Sequence, residues 1–275
     1  MHAVEPYRLG GARLGPHFVT LHWFAEAVVG PFRGWCPPNA DGGSVTLEFK
    51  SGGGSSTQHL EFAEFSDESC LFCCPQGMGR LDFTTARGEF LLAQSVDVRL
   101  GFQALRLSLL AAFTAMALRQ GGLVLHAATV LVDGQTHVVV GPSGAGKTTL
   151  ANAQFSDAFL HDDIAILVQQ PGWQVWRQSP VFAEPSPQVP WLSPVAAVHY
   201  LSADRSQTCA QRLTASDALG LVATQTVFAG GAAVHAMALA LARLVQAVPV
   251  FRLAHCLNDG PDRVTSVLRA AVAAH

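Results

Sequence analysis

The sequence predicts an α/β fold: a mixed sheet gathered around a phosphate-binding P-loop, with a small β-rich region in front of it. Three observations carry this. Gly141-Pro-Ser-Gly-Ala-Gly-Lys147-Thr148 fits G-x-x-x-x-G-K-[ST], and it lies between the apolar run His137–Val140 and the helix-forming stretch Thr148–Phe155. Asp133-Gly134 is a hairpin signal between the apolar run Ala128–Val132 and His137–Val140, so the strand that feeds the loop is expected to return antiparallel to its predecessor. The first hundred residues carry short apolar runs that alternate as half-buried strands do, broken by glycine clusters.

Taken in order, residues 1–103 read as the β-rich N-terminal region. Ser44–Phe49 and His59–Phe65 alternate, with Gly42-Gly43 and the Gly/Ser run 51–56 between them as turns. Leu81–Phe83 and Glu89–Leu92 are expected as further strands, and no catalytic motif falls in this region. Cys70-x-x-Cys73-Cys74 would supply part of a zinc site, but a closed site needs four ligands, which Cys36 or His59 would have to complete. No second C-x-x-C pair exists, so reduced thiols packed in the β region are expected instead.

Residues 104–275 read as the second domain. Leu105–Arg119 is a helix, apolar over most of its circumference and stopped by Gly121-Gly122. Leu123–His126 is a strand that Ala128–Val132 would continue. Beyond the loop comes the run Phe159–Val168, with a short apolar strand before Asp162-Asp163; Gln174–Trp176 and Val195–Leu201 read as strands, with a proline-rich loop from Pro185 to Pro194 before the last. Thr214 has the chemistry of an N-cap for a helix over Ala215–Val222. A helix over Ala232–Gln246, a strand over Pro249–Leu253 and a helix over Asp262–Ala273 complete the chain.

The chain's 275 residues are 49% hydrophobic, enough for a sizeable core, while only 13% are charged, which leaves a sparse surface suited to a covering partner. A formal net charge of −3 gives no basic footprint, so nucleic acid is not expected as a partner. No secretory leader pattern opens the sequence, and the apolar stretches are broken by polar residues. No membrane association and a cytoplasmic location are the expectations.

The chemistry concentrates around the loop. A strand, a glycine turn and a helix N-terminus aim several backbone N–H groups at one point, where the helix dipole favours an anion. Gly141, Ser143, Gly144, Ala145, Gly146, Lys147, Thr148 and Thr149 would hold a nucleotide's phosphates, with Lys147 reaching the β/γ-phosphates and the Thr148 hydroxyl taking a Mg²⁺ position. Asp162-Asp163 begins 15 residues after Lys147. Alone, such a pair is a solvated turn. Beside a phosphate loop, one carboxylate would face a metal and the other an acceptor oxygen. His126, in an apolar strand, is either a packed core histidine or a group near the γ-phosphate that relays a proton.

The set Leu125-His126-Ala127, the Asp133-Gly134 turn, the phosphate loop and Asp162-Asp163 resembles the C-terminal catalytic domain of HPr kinase/phosphorylase. It resembles still more the shorter HPr kinase-related proteins of peptide-modification clusters, such as lasso-peptide kinases. The resemblance covers about residues 105–255. It implies a phosphoenolpyruvate-carboxykinase-like fold, ATP and Mg²⁺ as cofactors, and a peptide or small-protein acceptor phosphorylated on Ser or Thr. It also implies self-association into homo-oligomers. Carried over, Asp162 is the acid/base carboxylate, Asp163 a metal-side partner and His126 an auxiliary group. The family's downstream glycine-rich signature is missing, which argues against phosphorylase activity. The interval from Lys147 to the acid pair is also shorter than the family's. The other reading is a non-catalytic nucleotide-binding accessory protein that holds a precursor peptide or partner enzyme.

Overall fold

The computed structural model describes residues 7–9, 12–14, 45–51, 61–74, 77–85, 87–92, 98–154, 159–161, 164–169, 171–176, 192–202, 204, 206–227, 231–256 and 258–273. The chain is mixed α/β and divides into two compact units. The first holds residues 1–119 with 181–184 and 228–235; the second holds the remainder.

The first unit is built on a seven-stranded sheet: β1 (Tyr7–Leu9), β2 (Ala12–Leu14), β3 (Val45–Ser51), β4 (Glu61–Phe65), β5 (Ser69–Cys74), β6 (Gly77–Asp82) and β7 (Arg87–Leu92). Its order is β1-β2-β3-β7-β6-β5-β4. The run β4 to β7 is an antiparallel meander, while β3 lies parallel to β7. The side-chain period of two sorts this meander. Phe62, Cys70, Phe72, Cys74, Leu81 and Phe90 are all buried, and Phe72 packs against the rings of Phe62 and Phe90. Gly79 is required there, because a Cβ would come 2.2 Å from the Phe72 ring. Helix α1 (Val98–Arg119) packs on β5, β6 and β7. It begins at Val98 rather than at Leu105, where the apolar pattern first becomes dense.

The thiols obey the same alternation. Cys70 and Cys74 face the core, and Cys73 faces the other way. The alternation therefore divides the C-x-x-C-C run between opposite faces. Among the described residues no three metal-ligating side chains come together; Cys36 and His59 lie outside them. Burial pushes the Cys70 thiol up to about 12 and also raises Cys73, helped there by the Glu61 carboxylate.

The second unit holds a nine-stranded sheet. Its strands are β8 (Leu123–Leu125), β9 (Ala127–Val132), β10 (Gln135–Val140), β11 (Phe159–His161), β12 (Ala165–Gln169), β13 (Trp173–Trp176), β14 (Leu192–Leu201), β15 (Cys209–Arg212) and β16 (Val250–Ala254). The path is β11-β9-β10-β14-β13-β12-β8, and β16 and β15 continue from β14. The ten-residue β14 serves two neighbourhoods. Leu192–Pro194 pairs antiparallel with β13, whereas Val195–Tyr200 pairs parallel with β10, and Val198–Leu201 pairs parallel with β16. The apolar run 123–132 is likewise split: β8 pairs with β12, and β9 pairs with β10. It does not form one continuous strand, because the ladder is interrupted at His126.

Helices α2 (Lys147–Gln154), α3 (Ala215–Ala223), α4 (Val234–Ala247) and α5 (Pro261–Ala273) complete the described elements. Leu150 and Ala151 of α2 and Val264 and Leu268 of α5 share one core with Ala128, Val130, Val132, Val139, Leu201 and Leu253 of the sheet. Helix α3 begins as expected of a capped helix: the Thr214 hydroxyl oxygen accepts from the Asp217 N–H at 3.2 Å and donates to the Asp217 carboxylate at 2.8 Å. No helix among the described residues is long and apolar enough to cross a membrane.

Candidate functional site

The approach to the glycine loop is set by the Asp133-Gly134 turn. Asp133 at φ 51° and Gly134 at φ 77° both have positive φ, the requirement of a type I′ hairpin. The turn fixes the register from Gln135↔Val132 to Val140↔Ala127. Arg269 on α5 clamps it with two bonds to the Asp133 carboxylate, at 2.6 and 2.7 Å. This hydrogen-bonded guanidinium holds the Asp133 carboxyl below its ordinary range.

The chain leaves β10 at Gly141, whose φ of 154° suits glycine alone. A Cβ there would sit 3.0 Å from the carbonyl oxygen of Leu201, so the loop starts flush against the end of β14. Gly144 at φ 76° and Gly146 at φ 97° turn the chain back. Within the loop the Ala145 N–H donates to the Pro142 carbonyl at 3.1 Å. Helix α2 then starts at Lys147, with the Leu150 N–H on the Gly146 carbonyl at 2.8 Å. By helix geometry the amides of its first turn lack carbonyl partners within the helix, which suits them to an anion.

Lys147 is only 6% exposed. Its ammonium donates to the carbonyls of Gly141 at 2.8 Å and Pro142 at 3.2 Å, which fixes a positive charge at the mouth of the turn. Ser143, Gly144, Thr148 and Thr149 are exposed, and Ala145 and Gly146 half-buried. An anion meeting this corner would find amides, a helix dipole and a lysine together. The arrangement therefore fits a polyphosphate, and the exposed Thr148 hydroxyl in the first turn fits a divalent cation beside it.

His126 is half-buried in the interruption between β8 and β9. Its backbone N–H donates to the Gln225 carbonyl at 2.7 Å, and the Val227 N–H donates to the Val124 carbonyl at 3.0 Å, so the segment after α3 holds the backbone in place. His126 precedes the pair Ala127↔Val140, and Gly141 follows that pair, so both flank one end of the ladder. Asp162 and Asp163 lie outside the described residues. Their described neighbours bracket the same end: His161 pairs with Thr129 of β9, and Ala165 pairs with Leu125 of β8.

Of four arginines that could meet a phosphate or an acceptor by charge alone, Arg177, Arg205, Arg212 and Arg243, two lie elsewhere. Arg212 stacks over the Phe251 ring at 5.7 Å, near the start of β16. Arg243 lies by Gly121, at the end of β8 away from His126; a Cβ at Gly121 would be 3.5 Å from its guanidinium. Arg177 and Arg205 lie outside the described residues.

Sequence reasoning missed one polar feature near the loop. His137 Nδ1 and His199 Nε2 are 2.9 Å apart, with the rings stacked, and His199 stacks in turn on Phe251. Both imidazoles are buried, and His199 Nδ1 has no hydrogen-bond partner among the described residues. Burial lowers His137 to about 4 and takes His199 well below its ordinary value. The two histidines are 62 residues apart in sequence, and nothing local in either strand signals the pairing.

No family model and no curated protein sequence matches this chain. Among solved structures it is similar to the Hpr(Ser) kinase/phosphatase from Coxiella burnetii, at 12% identity and a TM-score of 0.31, covering 54% of this chain and 94% of that one. A likeness at that level is a distant one in fold and carries no functional argument.

Proposed function

We propose that the protein is an ATP-dependent kinase that transfers the γ-phosphoryl group to a Ser or Thr hydroxyl of a peptide or small protein. The observation that carries this reading is the loop geometry: three positive-φ glycines between β10 and α2, with the Lys147 ammonium bonded to the loop's own carbonyls. Mg²⁺, held by Thr148 and Asp163, would neutralise phosphate charge there.

The chain's own residues do the rest. The loop amides from Gly141 to Gly146 and those of Lys147, Thr148 and Thr149 bind the phosphates. Lys147 stabilises negative charge as it moves toward the leaving oxygen. Asp162 accepts the proton of the acceptor hydroxyl. The bond from that oxygen to the γ-phosphorus forms in line as the bond to the bridging oxygen breaks, leaving ADP and a phosphoester. His126, fastened by Gln225 beside the loop's entry strand, supports the developing charge. The described strands on either side of the acid pair favour this role, since β11 approaches β9 and β12 leaves along β8 at the end where His126 stands.

The test is incubation of the protein with γ-labelled ATP, Mg²⁺ and a Ser/Thr peptide library. Label is expected on peptide, and Lys147→Ala and Asp162→Asn should each abolish transfer while the circular-dichroism spectrum is retained. Tight ATP binding with no transfer to any hydroxyl would point instead to a non-catalytic accessory protein. Full turnover by Asp162→Asn would remove Asp162 as the base.

A further inference from the structure

We propose that the nucleoside of the bound nucleotide leaves the loop over the carboxyl ends of β14 and β16, on a shelf formed by Ser202, Asp204, Thr208, His255 and Cys256. This rests on the kinase reading above and adds to it a place for ribose and base. β10, β14 and β16 are parallel neighbours, so all three carboxyl ends emerge on one side of the sheet, where open α/β sheets bind ligands.

Those ends are level. Gly141 abuts Leu201, and Leu201 pairs with Leu253, so the loop, the exit of β14 and the exit of β16 form one continuous rim. The opposite flank of the loop belongs to β9, His126 and the strands that bracket the acid pair. A triphosphate whose γ end faces that flank must run its α end toward β14. Two strand spacings, about 10 Å, separate β10 from β16, a reach suited to a ribose and base.

The rim is fastened and carries the right chemistry. The Ser202 N–H donates to the Leu253 carbonyl at 2.9 Å, and the Cys256 N–H donates to the Thr208 hydroxyl oxygen at 3.0 Å, so both exit segments are tied together. Thr208 and His255 are buried beneath them, while Ser202 and Cys256 are half-buried and Asp204 is exposed. The Asp204 carboxylate accepts the Ser206 N–H at 2.9 Å, a bond that orients it and holds its carboxyl below its ordinary range. A carboxylate and a hydroxyl together suit the vicinal diol of a ribose, and Cys256 lies where the base would cover it.

The shelf is tested by comparing Mg²⁺-ATP with inorganic tripolyphosphate, which needs the loop alone. Ser202→Trp should weaken ATP about tenfold or more, the equivalent of one lost anchoring contact, and leave tripolyphosphate affinity unchanged. Asp204→Ala should act in the same direction. In the unmodified protein, saturating ATP should slow alkylation of Cys256, read peptide by peptide by mass spectrometry, and saturating tripolyphosphate should not. If Ser202→Trp leaves the ratio of the two affinities unaltered, or Cys256 reacts equally fast with ATP bound, the nucleoside lies elsewhere and the shelf is rejected, with phosphate binding intact. If tripolyphosphate itself does not bind, the phosphate-loop reading falls, and the shelf with it.

Discussion

Replacing the buried histidine pair should change how stability responds to acid. His137 is 3% exposed and His199 fully buried. Burial holds His137 at about 4, against an ordinary 6.5, with the Asp133 carboxylate opposing; burial and the neighbouring His137 take His199 well below its ordinary value. Both groups bind protons more readily in the unfolded chain. Their contribution to stability is therefore complete above pH 6.5 and is lost as pH falls toward the folded value. At 1.36 kcal/mol per unit, the loss from His137 amounts to about 3 kcal/mol by pH 4. One proton taken up on unfolding gives a slope of about 1.4 kcal/mol per pH unit, and two give about twice that. Urea unfolding at pH 7.0, 6.0, 5.0 and 4.5 measures it directly. The double variant His137→Leu/His199→Phe should lose most of this slope between pH 6 and 4.5. The depressed carboxyls of Asp82, Asp133 and Asp204 act below about 4 and do not enter this window. Equal slopes in the two proteins would refute the claim that this pair carries the acid sensitivity.

Other consequences are open to simpler measurements. Lys147→Ala should weaken tripolyphosphate binding by about 1.5–3 kcal/mol, the worth of a charge-assisted hydrogen bond, when measured by calorimetry. Leu150→Ala removes a fully buried side chain between α2 and the sheet and should cost about 2–5 kcal/mol in chemical unfolding. Thr214→Ala should cost about 0.5–2 kcal/mol through the lost cap of α3, and Thr214→Asp should restore it. Alkylation under native conditions should modify Cys209, which is exposed, well before the buried Cys70 and Cys74, as peptide mass spectrometry would report.

The loop and its approach were legible because both depend on local backbone chemistry. Asp133-Gly134 asks for positive φ at both positions and obtains it, and Gly141, Gly144 and Gly146 stand where the chain must turn. The strands feeding and leaving these turns follow from their apolar runs, and Thr214 caps its helix by the bond its side chain offers. What escaped the sequence depends on distant pairing. Ser69–Cys74 is nearly all apolar or thiol, so no alternation marks it as the strand β5, and Cys209–Arg212 is too short and polar to stand out as β15. The run 123–132 reads as one strand because nothing in its composition reveals that β12 captures its first part and β10 its second. The His137–His199 contact and the level ends of β10, β14 and β16 arise from parallel pairing across long crossovers, which leave no local pattern.

The central proposed step is phosphoryl transfer from a nucleotide held at the Gly141–Thr149 loop. Phosphorus NMR of a mixture of ATP, Mg²⁺, protein and Ser/Thr peptide library follows that transfer most directly. A phosphomonoester resonance rising in step with ADP, and absent with Lys147→Ala, is the predicted result; ATP left unchanged, or ADP accompanied by inorganic phosphate alone, would contradict it.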